Sequence, residues 1–151
     1  MPQSLPAVCI HLVFSTKQRF PYLADIALRH EMHRYLAGIS GQLACPALEV
    51  GGVADHVHVL AYLGRSCSQA DWVKELKRAS TVWVKKRAAA LGDFAWQAGY
   101  RAFSVSASQV SKVRQYVANQ EAHHRQASFQ DELRALLKAH GLEWDETYLW
   151  E

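Results

Sequence analysis

Residues 47–63 read Ala47-Leu48-Glu49-Val50-Gly51-Gly52-Val53-Ala54-Asp55-His56-Val57-His58-Val59-Leu60-Ala61-Tyr62-Leu63. Apolar residues dominate both sides of Gly51-Gly52. A Gly-rich link between two such runs predicts two strands joined as a hairpin, or one long strand broken by a bulge. Side chains alternate along a strand, so His56 and His58 share one face and Val57 and Val59 the other. The two histidine Cα atoms are then about 6.5 Å apart.

Upstream, Val8-Cys9-Ile10-His11-Leu12-Val13-Phe14 reads as a buried strand, ended by Lys17-Gln18-Arg19-Phe20-Pro21. From Asp25 the period changes. Leu28, Met32, Tyr35, Leu36 and Ile39 recur at helical spacing, so 25–38 is expected to be an amphipathic helix, capped by Asp25 and ended by Gly38 or Gly41. Downstream, 64–68 is a loop, and Ser68 with Asp71 predicts a capping box opening a helix to about Ala90. A loop over 92–101 precedes a strand at 102–105. A helix from Gln109 to about Gln126 follows, with Ser106 or Ser108 as its cap. Ser128 with Asp131 marks a last helix, stopping at His140-Gly141. The tail carries Trp144, Tyr148, Leu149 and Trp150, enough aromatic surface to expect docking on the body or on a partner. The order of elements predicts an α+β fold with a mainly antiparallel sheet and helices on one face.

A length of 151 residues points to one domain, 1–151, and half of the residues are hydrophobic, enough for a sizeable core. The charged fraction of 21% argues against disorder. No apolar run approaches the roughly 18 residues of a membrane span, and no signal peptide is evident. A cytoplasmic protein without membrane association is expected. A net charge of +3 permits an anionic partner without demanding one. Cys9, Cys45 and Cys67 are far apart and odd in number, so they are expected to be free thiols.

Three features can carry chemistry. Two imidazoles at His56 and His58 can converge on one divalent ion, which polarises a phosphate oxygen and stabilises an alkoxide leaving group; two histidines at this spacing also occur as core packing. On the helix from Gln109, Tyr116, Gln120 and His123 fall within about 60° of one another, beside an apolar seam of Val110, Val113 and Val117. A tyrosine hydroxyl can attack phosphorus, although with a pKa near 10 it needs a nearby cation or base. On the 68–90 helix Trp72, Leu76, Ala79 and Trp83 form one side, and Lys74, Arg78, Thr81 and Lys85 the other. A basic stripe of this kind can follow a phosphate backbone, or be a solvated face.

Together these residues resemble the IS200/IS605-type (Y1) transposases, single-tyrosine HUH endonucleases. His56-Val57-His58 matches the HUH motif, and Tyr116 followed by Gln120 matches the tyrosine helix. The strings Gly-Gly-Val-Ala-Asp-His-Val-His-Val, Trp-Gln-Ala-Gly-Tyr-Arg-Ala-Phe-Ser-Val and Tyr-Val-Ala-Asn-Gln are similar as well. The resemblance runs from Ile10 to Tyr148-Leu149-Trp150. It implies a ferredoxin-like (RRM-like) antiparallel sheet with helices on one face, plus a C-terminal helix and tail. It implies a bacterial or archaeal single-stranded DNA transposase that recognises hairpin DNA and acts as a homodimer, with no small-molecule substrate. His56, His58 and Gln120 would bind Mg²⁺ or Mn²⁺. Tyr116 would attack the scissile phosphate, leaving a 5′-phosphotyrosine and a free 3′-OH that later rejoins strands.

Asp55 can orient a ligand histidine, or simply precede the strand. His123 or His124 can replace or assist Gln120; His124 is kept as an additional ligand. Lys74, Arg78, Lys85 and Arg19 are the expected DNA contacts. Trp96 and Tyr100 can stack on unpaired bases, or be core or dimer contacts. The rival readings are a domesticated, non-catalytic hairpin-DNA binder, an RRM-like RNA-binding module, and a metal hydrolase that uses water with Tyr116 as a bystander.

Overall fold

The computed structural model describes residues 2–150. Four strands form one antiparallel sheet: β1 (Cys9–Ser15), β2 (Ala47–Gly52), β3 (His56–Tyr62) and β4 (Arg101–Val105), in the order β2-β3-β1-β4. Helices α1 (Ile26–Gln42) and α2 (Gln69–Arg87) are the two crossovers. A βαββαβ chain with this strand order is the ferredoxin-like arrangement. The stretch around Gly51-Gly52 is a hairpin, with residues 53–55 as its turn and a register shift between Ala47 and Glu49.

The strand alternation divides the sheet into two faces. Ile10, Leu12, Phe14, Val57, Val59 and Ala61 point to one, where Leu28, Met32 and Leu36 of α1 and Trp72, Val73 and Leu76 of α2 cover them. Helical serines serve this core. Trp72 Nε1 donates to Ser40 Oγ at 2.9 Å, and Trp96 Nε1 donates to Ser80 Oγ at 2.9 Å. Trp96 is therefore a core residue, edge-on to Phe14 and Phe94, and not a platform for bases. Tyr100 packs against the same core and receives a hydrogen bond from Gln69 at its hydroxyl.

Helices on one face describes α1 and α2 only. The opposite face carries Cys9, His11, Val13, His56, His58, Leu60 and Phe103. It is covered by α3 (Val110–Ala118), α4 (Gln120–His123) and α5 (Phe129–Ala139), with α6 (Glu146–Leu149) in the tail. This second cover makes both histidines fully buried.

Several boundaries differ from expectation for local reasons. Gly38 and Gly41 do not end α1, which runs on to Gln42 and stops where Ala44 turns to φ 58. The expected 109–126 helix breaks at Asn119 into α3 and α4, after a 3₁₀ turn at Ala107–Gln109. Asp25, Ser68 and Ser128 cap their helices as expected, each accepting from the backbone N–H three residues on. On α2 the buried stripe is Trp72, Val73, Leu76, Ser80 and Val84, with Ala79 and Trp83 at its margin. The three cysteines are free. The tail docks on the body: Leu149 is buried, the Arg134 guanidinium lies 5.3 Å from the Trp150 ring centre, and Arg101 donates to the Leu149 carbonyl.

Candidate active site

Strands β1 and β3 and the helices α3 to α5 each deliver a polar side chain to one point between them. His56 and His58 come from β3, and His11 from β1. Tyr116 comes from α3, Gln120 from α4, His124 from the turn after it, and Glu132 from α5. Gly51 sets the height of α3 above the sheet. A Cβ there would sit 2.0 Å from the Val117 carbonyl oxygen, so only glycine lets the α3 backbone come this close. Tyr116 precedes Val117 and is held at the same height.

Glu132 is the hub. Its Oε1 lies 2.9 Å from His58 Nε2 and 3.5 Å from His56 Nε2. Its Oε2 lies 3.1 Å from His123 Nε2 and 3.3 Å from His124 Nε2, and accepts a hydrogen bond from the Tyr116 hydroxyl. Gln120 turns its Oε1 inward, 3.4 Å from His56 Nε2 and 3.0 Å from His124 Nε2, while its amide nitrogen donates to the Tyr116 carbonyl. The far nitrogens of the rings are held too. His56 Nδ1 donates to Asp55 Oδ1 at 2.8 Å, His124 Nδ1 to the Ala127 carbonyl at 2.9 Å, and His58 Nδ1 shares a proton with His11 Nε2 at 2.8 Å.

This pattern fits a cation. A neutral imidazole donates from one nitrogen only. His56 and His124 each spend that donor on an outer oxygen, so each turns a lone pair toward the oxygens of Glu132 and Gln120. Acceptors facing acceptors repel unless a positive charge lies between them, an added proton on the ring in the metal-free chain or a metal ion in its place. One ligand atom each from His56, His58, His124 and Glu132 fall within 4.8 Å of one another, and three imidazoles with a carboxylate suit a divalent transition-metal ion such as Mn²⁺. The outer partners Asp55, His11 and Ala127 fix ring orientation, as partners of metal-binding histidines do.

The protonation tendencies follow from the same contacts. Burial pushes His58 down to about 4 and, with the neighbouring His58, His11 down to about 3. Burial would lower His56 as well, but its hydrogen bonds to Asp55 and Glu132 outweigh it and raise the pKa. Burial would raise Glu132, yet hydrogen bonds from His124, His56 and His58 hold it far below the usual carboxylate range. Burial, and then the charge of Glu132, push the Tyr116 phenol well above its ordinary value.

His56, His58, Tyr116 and Gln120 thus come together as expected, and His124 joins them. Lys74, Arg78 and Lys85 do not. They are exposed on α2, which packs on the other side of the sheet, and Arg78 pairs with Glu75. Arg19 is half-buried, and its charge helps to keep the Asp55 carboxyl ionised. Sequence reasoning missed Glu132 and His11. Asp131 drew attention as the capping-box partner of Ser128, yet Glu132 sits on the apolar stripe with Phe129 and Leu136, three residues before it and four after. An acid on such a stripe is a signal. His11, in the midst of an apolar strand, is a weaker one.

The fold and the site define a ferredoxin-like domain in which side chains able to hold a metal ion lie beside a tyrosine. Residues 4–120 match the family described as Transposase IS200 like, and the chain belongs to that family. Among solved structures it is similar to a candidate transposase from Deinococcus radiodurans R1, at 25% identity and a TM-score of 0.63 over 80% of this chain and 96% of that one. It shares the fold of a REP-associated tyrosine transposase bound to a REP hairpin, at 13% identity and a TM-score of 0.57 over 96% of this chain and 92% of that one. No curated protein matches the chain. Among the described residues no helix is long and apolar enough to cross a membrane.

Proposed function

We propose that the chain is a single-domain enzyme that cleaves and rejoins single-stranded DNA through a covalent 5′-phosphotyrosine at Tyr116. The observation that carries this is the convergence of Tyr116, His56, His58 and Gln120 around Glu132. Family membership supports the transposase class, and the hairpin bound by the REP-associated neighbour supports hairpin DNA as the partner.

His56, His58 and Glu132, with Gln120 or His124, would hold Mg²⁺ or Mn²⁺. When bound, the ion supplies positive charge for a phosphate oxygen and for the leaving 3′-oxygen. Glu132 holds the Tyr116 hydroxyl by its proton; as the oxygen attacks phosphorus the proton passes by way of the carboxylate, too weak a base to keep it, to the leaving 3′-oxygen. The P–O bond to the 3′-oxygen breaks as the Tyr–O–P bond forms, so the bond energy is kept for rejoining. Asp55 and His11 hold the two imidazoles in place. Arg19 lies at the Asp55 edge, where a phosphate chain would pass. Lys74, Arg78 and Lys85 would grip DNA away from the scissile bond, on the far side of the sheet. Tyr116 reaches the histidines of its own chain; in the homodimer that belongs to this reading, exchange of α3 between copies would build the same site in trans.

The test is a denaturing gel with Mg²⁺ or Mn²⁺ and single-stranded oligonucleotides copied from the DNA flanking the gene. A denaturation-resistant protein–DNA band that disappears in Tyr116→Phe is expected. His56→Ala should also remove the band while hairpin binding persists. Cleavage that survives Tyr116→Phe would mean a hydrolase using water.

A further inference from the structure

Beside Tyr116 lies a cavity of about 560 Å³ for which the chemistry above has no use. Its size falls within the range of small-ligand sites, roughly 300–1,000 Å³. Its walls are Val105 of β4, Val113 of α3 and Leu136 of α5, and it shares His11 and Tyr116 with the active site. Ser104, Ser106 and Gln109 add polar groups to its lining. Lys112, exposed and one helical turn before Tyr116, is its cation, and no carboxylate lines it among the described residues.

We propose that this cavity receives the nucleobase of a nucleotide flanking the scissile phosphodiester, which rests on reading Tyr116 as the nucleophile. Position comes first. A phosphodiester attacked by Tyr116 carries a nucleotide on each side, and the cavity is lined by that same tyrosine. Chemistry comes second. Apolar walls suit the faces of a base, and His140, stacked on Phe103 with ring centres 4.6 Å apart, offers a flat aromatic surface at the lining. The serine hydroxyls and the Gln109 amide can donate to or accept from the edge of a base. Charge comes third. A lysine without an acidic neighbour in the lining suits the phosphate carried by that nucleotide's sugar.

The test uses the metal-free full chain and the four deoxynucleoside 3′,5′-bisphosphates, read by amide chemical shifts. Shifts concentrated on residues 104–109, Val113 and Ala139 are expected, and inorganic phosphate alone should not reproduce them. Leu136→Trp fills the cavity from its wall. Ala139→Phe fills it from an exposed helix position that the core does not need. Each should weaken bisphosphate binding tenfold or more. Shifts matched by inorganic phosphate, or unchanged binding in both variants, would overturn the proposal. Oligonucleotides with an abasic site on either side of the cleavage point supply the second readout. Loss of one base should slow covalent product tenfold or more in the wild-type chain and have little effect in Ala139→Phe. Covalent product indifferent to both abasic sites refutes the cavity while leaving the nucleophile standing. Bisphosphates seated in the cavity of a chain that never forms covalent product refute the nucleophile instead.

Discussion

The hydroxyl of Tyr116 donates a hydrogen bond to Glu132, the carboxylate toward which His56 and His58 both turn Nε2. One anion thus links the side chain read as nucleophile to the side chains read as metal ligands. The link crosses from α3 to α5, two helices separated by a break and a turn, and it closes over a fully buried histidine pair.

Glu132→Gln should therefore have two effects. Divalent-ion affinity should fall tenfold or more, because an anionic oxygen is replaced by a neutral one. The Tyr116 phenol should titrate at lower pH than in the wild-type chain, because a negative charge beside it is gone. Calorimetry with Mn²⁺ checks the first, and ultraviolet titration of the tyrosines checks the second. Unchanged Mn²⁺ affinity would remove Glu132 from the ligand set.

His11 holds the ring of His58 from behind. His11→Phe keeps a flat ring in the apolar surroundings of Phe103 and removes the hydrogen-bond partner. Loss of such an outer partner typically costs about 10–100-fold in metal affinity. His11→Gln, which retains an acceptor, should recover part of it. Equal affinities in the three proteins would show that His58 needs no support.

Gly51→Ala should destabilise the chain by about 1–3 kcal/mol, the usual cost of forcing atoms into a packed contact. The added Cβ meets backbone, the Val117 carbonyl, so relief requires α3 to lift. Covalent DNA product should fall together with the denaturant midpoint, since Tyr116 moves with the helix. A midpoint equal to that of the wild-type chain would contradict the close approach.

Acid should destabilise the metal-free protein early. Burial holds His58 near 4, His11 near 3 and His33 near 4, the last helped by His30 and Arg29. In the unfolded chain a histidine takes its proton near 6.5. The unfolded state therefore gains protons first, and stability falls as the pH drops from about 6.5 through about 4. His56 is raised instead, so its contribution is complete by about 6.5 and stays constant through this window, and Glu132 adds to the loss only as the pH falls through the ordinary carboxylate range and below. Urea midpoints at pH 7 and pH 4.5 check the sign; a midpoint that rises in acid would contradict it.

Alternation along residues 47–63 was enough to place His56 and His58 on one face, and helical spacing was enough to bring Tyr116 and Gln120 toward each other. What alternation cannot say is which face a further helix will cover. The histidines' burial comes from α3 to α5, whose packing depends on contacts such as Gly51 with Val117, far apart in sequence. The break at Asn119 was hidden for the same reason. It brings His124, at the valine edge of an unbroken helix, to Glu132. Glu132 itself was masked by a capping signal at the neighbouring residue. Trp96 was ambiguous because an aromatic in a loop reads alike whether it meets bases or Phe14.

The most direct test is to digest the protein after reaction with single-stranded DNA and Mn²⁺, and to locate bound nucleotide by mass spectrometry. The predicted result is a nucleotide phosphate on the peptide that carries Tyr116, absent with a chelator and absent in His56→Ala. Cleaved DNA beside an unmodified Tyr116, or nucleotide attached to another residue, would contradict it.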